Sequence, residues 1–287
     1  MLTTLVSATQ LAAHLGDADW RIIDCRHDLM NPEAGRIAYQ AGHIPGALFA
    51  NLDQDLSGTK TDEQGIFQGR HPLPRTEDLL QVMRNLGISD RTQVIAYDAH
   101  GGMFAARLWW LLRSIGHASV AVLDGGVPAW IAAGQGLITE VLPPALGSLS
   151  LRSALTAQVD VQAVLANLNQ TGIGARQVID ARAPDRFRGE NESIDPIGGH
   201  IPGARNRFFK DNLDANGCFK TAEQLREEWQ SVIVQPEQAI MQCGSGVTAC
   251  HNLLALEIAG LKGAALYPGS WSQWCADPTR PVARGEF

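Results

Sequence analysis

Positive charge is in short supply in this chain: 23 Lys and Arg stand against 30 Asp and Glu, for a formal net charge of -7. The deficit excludes the broad basic surface of a nucleic-acid binder, but leaves room for a local basic pocket that takes a small anion. Cysteine is also sparse. The five present are an odd, scattered set with no C-x-x-C pair, which argues against a disulfide framework and against a zinc site. Reduced thiols are expected, and no cofactor or metal is called for. No apolar run is long enough to span a membrane, and Met1-Leu2-Thr3-Thr4-Leu5-Val6-Ser7 has neither the basic start nor the apolar core of a secretory signal. A cytoplasmic location is the expectation. Core-forming material is plentiful: 45% of 287 residues are hydrophobic, enough for two domains of common size.

The most informative stretch is Cys243-Gly244-Ser245-Gly246-Val247-Thr248-Ala249-Cys250, which follows the apolar run Ala239-Ile240-Met241 and leads into a helical segment near His251 to Ile258. A cysteine between the end of a strand and the start of a helix faces unpaired backbone N–H groups and the positive end of the helix dipole, so the site favours a thiolate. The glycines let the backbone fold closely around whatever the sulfur carries. These features suit a nucleophile better than a core residue.

An internal repeat organises the chain. Trp20-Arg21-Ile22-Ile23-Asp24-Cys25-Arg26 is answered by Gln177-Val178-Ile179-Asp180-Ala181-Arg182, each a short apolar run ending in Asp-x-Arg. Gly42-His43-Ile44-Pro45-Gly46-Ala47 returns as Gly199-His200-Ile201-Pro202-Gly203-Ala204. Val94 to Asp98 corresponds to Ala239 to Cys243, and Asp124-Gly125-Gly126 through Trp130 to Pro268-Gly269-Ser270 through Trp274. β-rich runs (Ile22 to Asp24, Val94 to Tyr97, Val120 to Leu123; then Val178 to Asp180, Ala239 to Gln242, Ala264 to Leu266) alternate with helical periods. Those periods cover Thr76 to Leu86, Ala105 to Ile115, Ala222 to Val232 and Ala249 to Ala259. The alternation predicts an α/β fold of two tandem domains, each a parallel sheet flanked by helices. Residues 1–138 form the first domain, 139–154 a Gly-, Pro- and Leu-rich linker, and 155–287 the second. Reactive groups in open parallel sheets gather at the carboxyl ends of the strands, which makes Cys243 and Asp98 counterparts. An aspartate forms no sulfur intermediate, so only the second half reads as catalytic.

Together, the doubled Asp-x-Arg and Gly-His-Ile-Pro-Gly-Ala, the Asp-Gly-Gly…Trp run and the Cys243-Gly244-Ser245-Gly246-Val247-Thr248 loop resemble the two-domain rhodanese superfamily over essentially the whole chain. The resemblance implies a sulfurtransferase whose cysteine takes up a sulfane sulfur as a persulfide and passes it to cyanide or to a thiol acceptor such as thioredoxin. Family enzymes specialised for thiosulfate carry basic residues directly after the cysteine. Gly244 and Ser245 are neutral, which favours 3-mercaptopyruvate as donor over thiosulfate. By the same resemblance the Gly244, Gly246, Val247 and Thr248 loop binds the substrate, and Arg186 clamps its carboxylate, with Arg188 a weaker candidate two residues on. The second arginine that family mercaptopyruvate enzymes often carry nine positions later is Asp195 here. Ser245 matches a serine that works with an aspartate and a histidine, and the matching residues are Asp53 and His71.

Other groups read as structure. Asp24, Asp180, His43 and His200 occur in both halves although only one has the cysteine, which points to loop hydrogen bonding. Cys250 lies about two helical turns past Cys243 and is expected in the core. Cys25, Cys218 and Cys275 lack a glycine-rich loop, and Trp109, Trp110, Trp271 and Trp274 read as packing. A cysteine-dependent phosphatase needs an arginine six residues after its cysteine, where this chain has Ala249. A persulfide-carrier protein is the remaining alternative.

Overall fold

The apolar runs that end in Asp-x-Arg are strands, and each lies inside a five-stranded, all-parallel sheet. The computed structural model describes residues 1–285 and contains two compact units. The first comprises residues 1–58, 74–155 and 214–219. In chain order it holds β1 (Leu5–Val6), α1 (Ala8–Ala12), β2 (Trp20–Asp24), α2 (Ala34–Ala41), β3 (Ala47–Phe49), α3 (Thr76–Asn85), β4 (Gln93–Tyr97), α4 (Ala105–Ser114), β5 (Val120–Leu123) and α5 (Gly126–Ala132). Its strand order is β1-β5-β4-β2-β3. β4 and β5 are buried at every position, as strands covered by helices on both faces must be. α4 is buried from Ala105 through Arg113, so its sequence shows little of the polar face that marks a surface helix.

The second unit comprises residues 59–73, 156–213 and 220–285 of the described chain. It holds β6 (Ala157–Gln158), α6 (Val161–Asn167), β7 (Gln177–Asp180), α7 (Pro184–Arg188), β8 (Arg205–Asn206), α8 (Ala222–Val232), β9 (Ala239–Gln242), α9 (Thr248–Ile258), β10 (Ala265–Leu266) and α10 (Ser270–Trp274). The strand order, β6-β10-β9-β7-β8, repeats that of the first unit. Its core joins Val178, Phe187, Ile201, Ile240, Trp271 and Trp274. The strands and helices expected from periodicity are present within one or two residues at each end. The edge strands β1, β3, β6 and β8 were not foreseen, because two or three residues cannot display an alternation. Segment 59–73 is sequentially part of the first half, yet it packs in the second unit.

The repeated motifs form a clasp. Arg26 Nε and Nη2 donate to both carboxylate oxygens of Asp24 at 2.6–3.1 Å, and Nη2 also donates to the Gly42 carbonyl at 2.7 Å. Arg182 repeats this on Asp180, with Nη2 donating to the Gly199 carbonyl at 2.7 Å. The His43 and His200 rings bond the carbonyls of Tyr39 and Phe187 at 2.8 and 2.9 Å. Each clasp ties the end of the second sheet strand of its unit to the Gly-His-Ile-Pro-Gly-Ala turn, in keeping with the structural reading of these residues. The stretch from Gly134 to Ser153 has no helix or strand, and Gly147 and Arg152 donate backbone bonds to Arg84 and Ile115 of the first unit. Among the described residues, no helix is long and apolar enough to cross a membrane.

Candidate active site

Cys243 stands directly after β9, and α9 begins at Thr248, so only four residues separate the sulfur from the helix. That short turn is closed by glycine. Gly246 has φ +76°, and a Cβ there would lie 2.4 Å from the Pro268 carbonyl oxygen, so both conformation and space demand glycine. The Gly246 N–H then donates to Cys243 Sγ at 3.2 Å. The Cys243 N–H donates to Ser270 Oγ at 3.1 Å, and the carbonyls of Cys243 and Gly244 accept from the N–H groups of Trp271 and Ser272. Ser270 holds φ 53°, a conformation that a non-glycine residue adopts only under local constraint. Its counterpart in the first half is Gly126, also in the left-handed region.

The first unit shows the same loop with a carboxyl side chain in place of the thiol. Asp98, at the end of β4, accepts from the N–H groups of His100, Gly102, Phe104 and Ala105 at 2.7–3.0 Å. A carboxylate therefore fills the amide-lined cradle before α4. In the second unit sulfur takes that place. The cradle suits negative charge, and in one copy a side chain has occupied it.

Two guanidinium groups converge on Gly244. A Cβ at this glycine would lie 2.7 Å from Arg70 Nη2 and 3.7 Å from Arg186 Nη2, so a side chain here would sit against a pair of cations. Neither cation stands alone. Arg186 Nε and Nη2 donate to the Glu192 carboxylate at 2.8–3.2 Å, and Nη2 also reaches Asp195 at 3.3 Å. Arg70 Nη1 donates to Asp195 Oδ1. Burial raises the Asp195 carboxyl above its ordinary value, with the positive charge of Arg70 opposing the rise. At Glu192 burial acts the same way, but the bonds from Arg186 and from the Asp195 and Ile194 amides outweigh it and hold the carboxyl below the usual range.

Ser245, two residues after the cysteine, lies with its Oγ 2.7 Å from His71 Nδ1, close enough to share a proton, and both residues are buried. His71 arrives with segment 59–73, which is anchored by Arg70 N–H donating to Ser272 Oγ at 3.1 Å and by Gln273 Nε2 donating to Gln68 Oε1 at 3.1 Å. The site thus joins a nucleophile, an amide cradle, two cations and a hydroxyl–imidazole pair.

The model of the rhodanese-like domain matches this chain twice, over residues 7–133 and 160–277. The chain belongs to the rhodanese family. A relative in Pseudomonas aeruginosa described as a probable 3-mercaptopyruvate sulfurtransferase is 44% identical, with 98% of each chain covered. The mouse thiosulfate sulfurtransferase is 33% identical over 93% of this chain and 89% of its own. Among solved structures, SseA from Escherichia coli, described as a 3-mercaptopyruvate sulfotransferase, superposes with a TM-score of 0.80 at 34% identity, covering 94% of this chain and all of that one.

For this rhodanese-family chain, the second unit gathers Cys243, Gly244, Ser245, Gly246, Val247, Thr248, His71 and Arg186 around one loop. Arg188 is not among them. Its guanidinium pairs with Glu190 at 2.8–2.9 Å, because α7 is a helix in which residues two apart face different sides. Asp53 lies in the first unit, its carboxylate 3.9 Å from His27 Nε2. Cys250 is fully buried on α9, its thiol donating to the Gly246 carbonyl at 3.3 Å. Arg70, Glu192 and Ser270 carry no sequence signal of a role. Arg70 sits in an irregular segment, and only the fold brings it to Gly244.

Proposed function

We propose that the protein is a sulfurtransferase that takes sulfane sulfur from 3-mercaptopyruvate onto Cys243 and passes it, as a persulfide, to a thiol such as reduced thioredoxin or to cyanide. The Cys243 thiolate attacks the donor sulfur, the carbon–sulfur bond breaks, and its electron pair stays on carbon as the pyruvate enolate, which then takes a proton. In the second step an acceptor thiolate or cyanide attacks the outer sulfur, and Cys243 leaves as thiolate. The observation that carries the reading is the 2.7 Å pair of Ser245 and His71 beside the cysteine. Cleaving carbon from sulfur develops charge on the departing enolate, which a hydroxyl relayed to an imidazole can hydrogen-bond and protonate. A sulfite leaving group needs no such proton. Arg186 supplies a cation for the donor carboxylate. The free thiols suit a reducing, cytoplasmic setting.

Thiosulfate is the second reading, favoured by the two guanidinium groups beside Gly244. Glu192 and Asp195, paired to those cations, weaken their pull on a dianion. Side-by-side rates with the two donors decide: mercaptopyruvate is expected to be the faster, and a preference for thiosulfate would overturn the assignment.

A further inference from the structure

The cations that border the sulfur loop belong to one buried network within the second unit. Arg70, Arg182 and Arg186 meet Asp180, Glu192 and Asp195, one anion for each cation. Asp195 is the member that bridges the two arginines next to Gly244, contacting both Arg70 and Arg186. Its side chain is 3% exposed, so its charge acts with little solvent screening. Arg70 uses Nη1 on Asp195, while Nη2 is the atom nearest the space over Gly244. One end of the fork is therefore held and the other faces the residue beside the nucleophile.

We propose that Arg70 is a donor-binding residue and that Asp195 is its internal counter-ion, which sets the charge offered to the donor and thereby the choice between a monoanionic and a dianionic sulfur donor. This deepens the sulfurtransferase reading and rests on it. With Asp195 ionised, the cluster is neutral as a whole, and Arg70 and Arg186 bind a single carboxylate by exchange of hydrogen bonds. A dianion such as thiosulfate brings a second negative charge close to Asp195 and Glu192 and is disfavoured. Removing the Asp195 charge leaves one net cation, whose attraction for a dianion is twice that for a monoanion at equal distance. Because energies double, fold-changes square: a gain of about 5-fold for mercaptopyruvate would correspond to about 25-fold for thiosulfate. The groups that face Asp195 are Arg70, Arg182, Arg186, Glu192 and Cys275, whose thiol burial pushes up to about 11, so it stays neutral. Acidification that protonates Asp195 has the same effect as removing it.

The test uses the full chain and steady-state kinetics with both donors. Asp195→Asn is expected to raise kcat/KM for thiosulfate by a larger factor than for mercaptopyruvate. The thiosulfate-to-mercaptopyruvate ratio of the wild type, divided by that of the variant, should climb as pH falls, since the Ser245–His71 pair acts alike in both proteins. Arg70→Ala alone would strand Asp195 without its main partner, so the charge-balanced double variant Arg70→Ala/Asp195→Asn is measured beside it. It is expected to raise KM for both donors with kcat changed far less. Equal changes for the two donors in Asp195→Asn, or wild-type KM values in the double variant, would overturn the proposal. Mass measurement of wild-type Cys243 after donor treatment separates the two readings. A persulfide with an unaltered donor ratio in the variants defeats this inference alone, whereas no persulfide from either donor defeats the function and the inference with it.

Discussion

A single sulfur, Sγ of Cys243, is expected to hold the transferred atom. After donor treatment the intact mass should increase by about one sulfur atom, mapped to Cys243 and absent in Cys243→Ser, by the logic of a covalent intermediate. Label on Cys250 or Cys218 would contradict the assignment. Ser245 and His71 are close enough to act as one unit. Each alanine variant should lose mercaptopyruvate turnover by about 10²-fold or more, and the double variant should lose much less than the product of the two. Multiplicative losses would show that the pair does not work together. The two loop glycines should behave differently. Gly244→Ala meets the movable end of Arg70 and should change donor kinetics while the fold persists. Gly246→Ala meets fixed backbone at positive φ and should cost about 1–3 kcal/mol of stability, read by chemical denaturation.

At the scale of elements, the Asp-x-Arg ends of β2 and β7 decide where the loops of each unit lie. Arg182 is 1% exposed in its side chain, bonded three times to the Asp180 carboxylate and once to the Gly199 carbonyl, with its guanidinium 4.7 Å from the Trp271 ring centre. Its removal leaves a buried carboxylate without its partner. Arg182→Ala should destabilise the protein by about 3–5 kcal/mol in denaturant unfolding, because the uncompensated charge costs more than the pair contributes. A change under about 1 kcal/mol would show the clasp to be replaceable. The loops after β4 and β9 share a template and differ in what fills it. Four amides hold the Asp98 carboxylate in one, and sulfur occupies the other.

For the molecule as a whole, pH dependence of stability follows from its buried histidines. Desolvation lowers the pKa of His27, His117 and His200 from the ordinary 6.5. The unfolded chain then takes up protons that the folded one refuses, so stability is present above 6.5 and is lost as pH falls below it. Burial raises the Asp55, Asp124 and Asp195 carboxyls, which act with the opposite sign nearer the carboxylate range. The histidine effect is therefore clearest between about pH 7 and 5.5. Thermal midpoints should fall across that window, and His117→Gln should flatten the slope. A midpoint that rises on acidification would contradict this account.

The sequence by itself determined the α/β class and the duplication, and it singled out Cys243 as the candidate nucleophile. Those features are local: an apolar run ending in a charged pair, a glycine-rich turn and a helix start each lie within a few residues. Roles for Ser245 and Arg186 were also read from the resemblance, although both stand within or near short motifs of the second half. Asp53 and His71 came only by family resemblance, and for Arg188, the weaker candidate, the structure shows a pairing with Glu190, because two arginines separated by one residue face different sides of a short helix. The tertiary structure alone decided that segment 59–73 joins the second unit, and with it that Arg70 borders Gly244 and pairs with Asp195. The physical reason is separation along the chain. Arg70 and Asp195 stand 125 residues apart, and no periodicity records a charge pair that exists only once the sheets have formed and buried it.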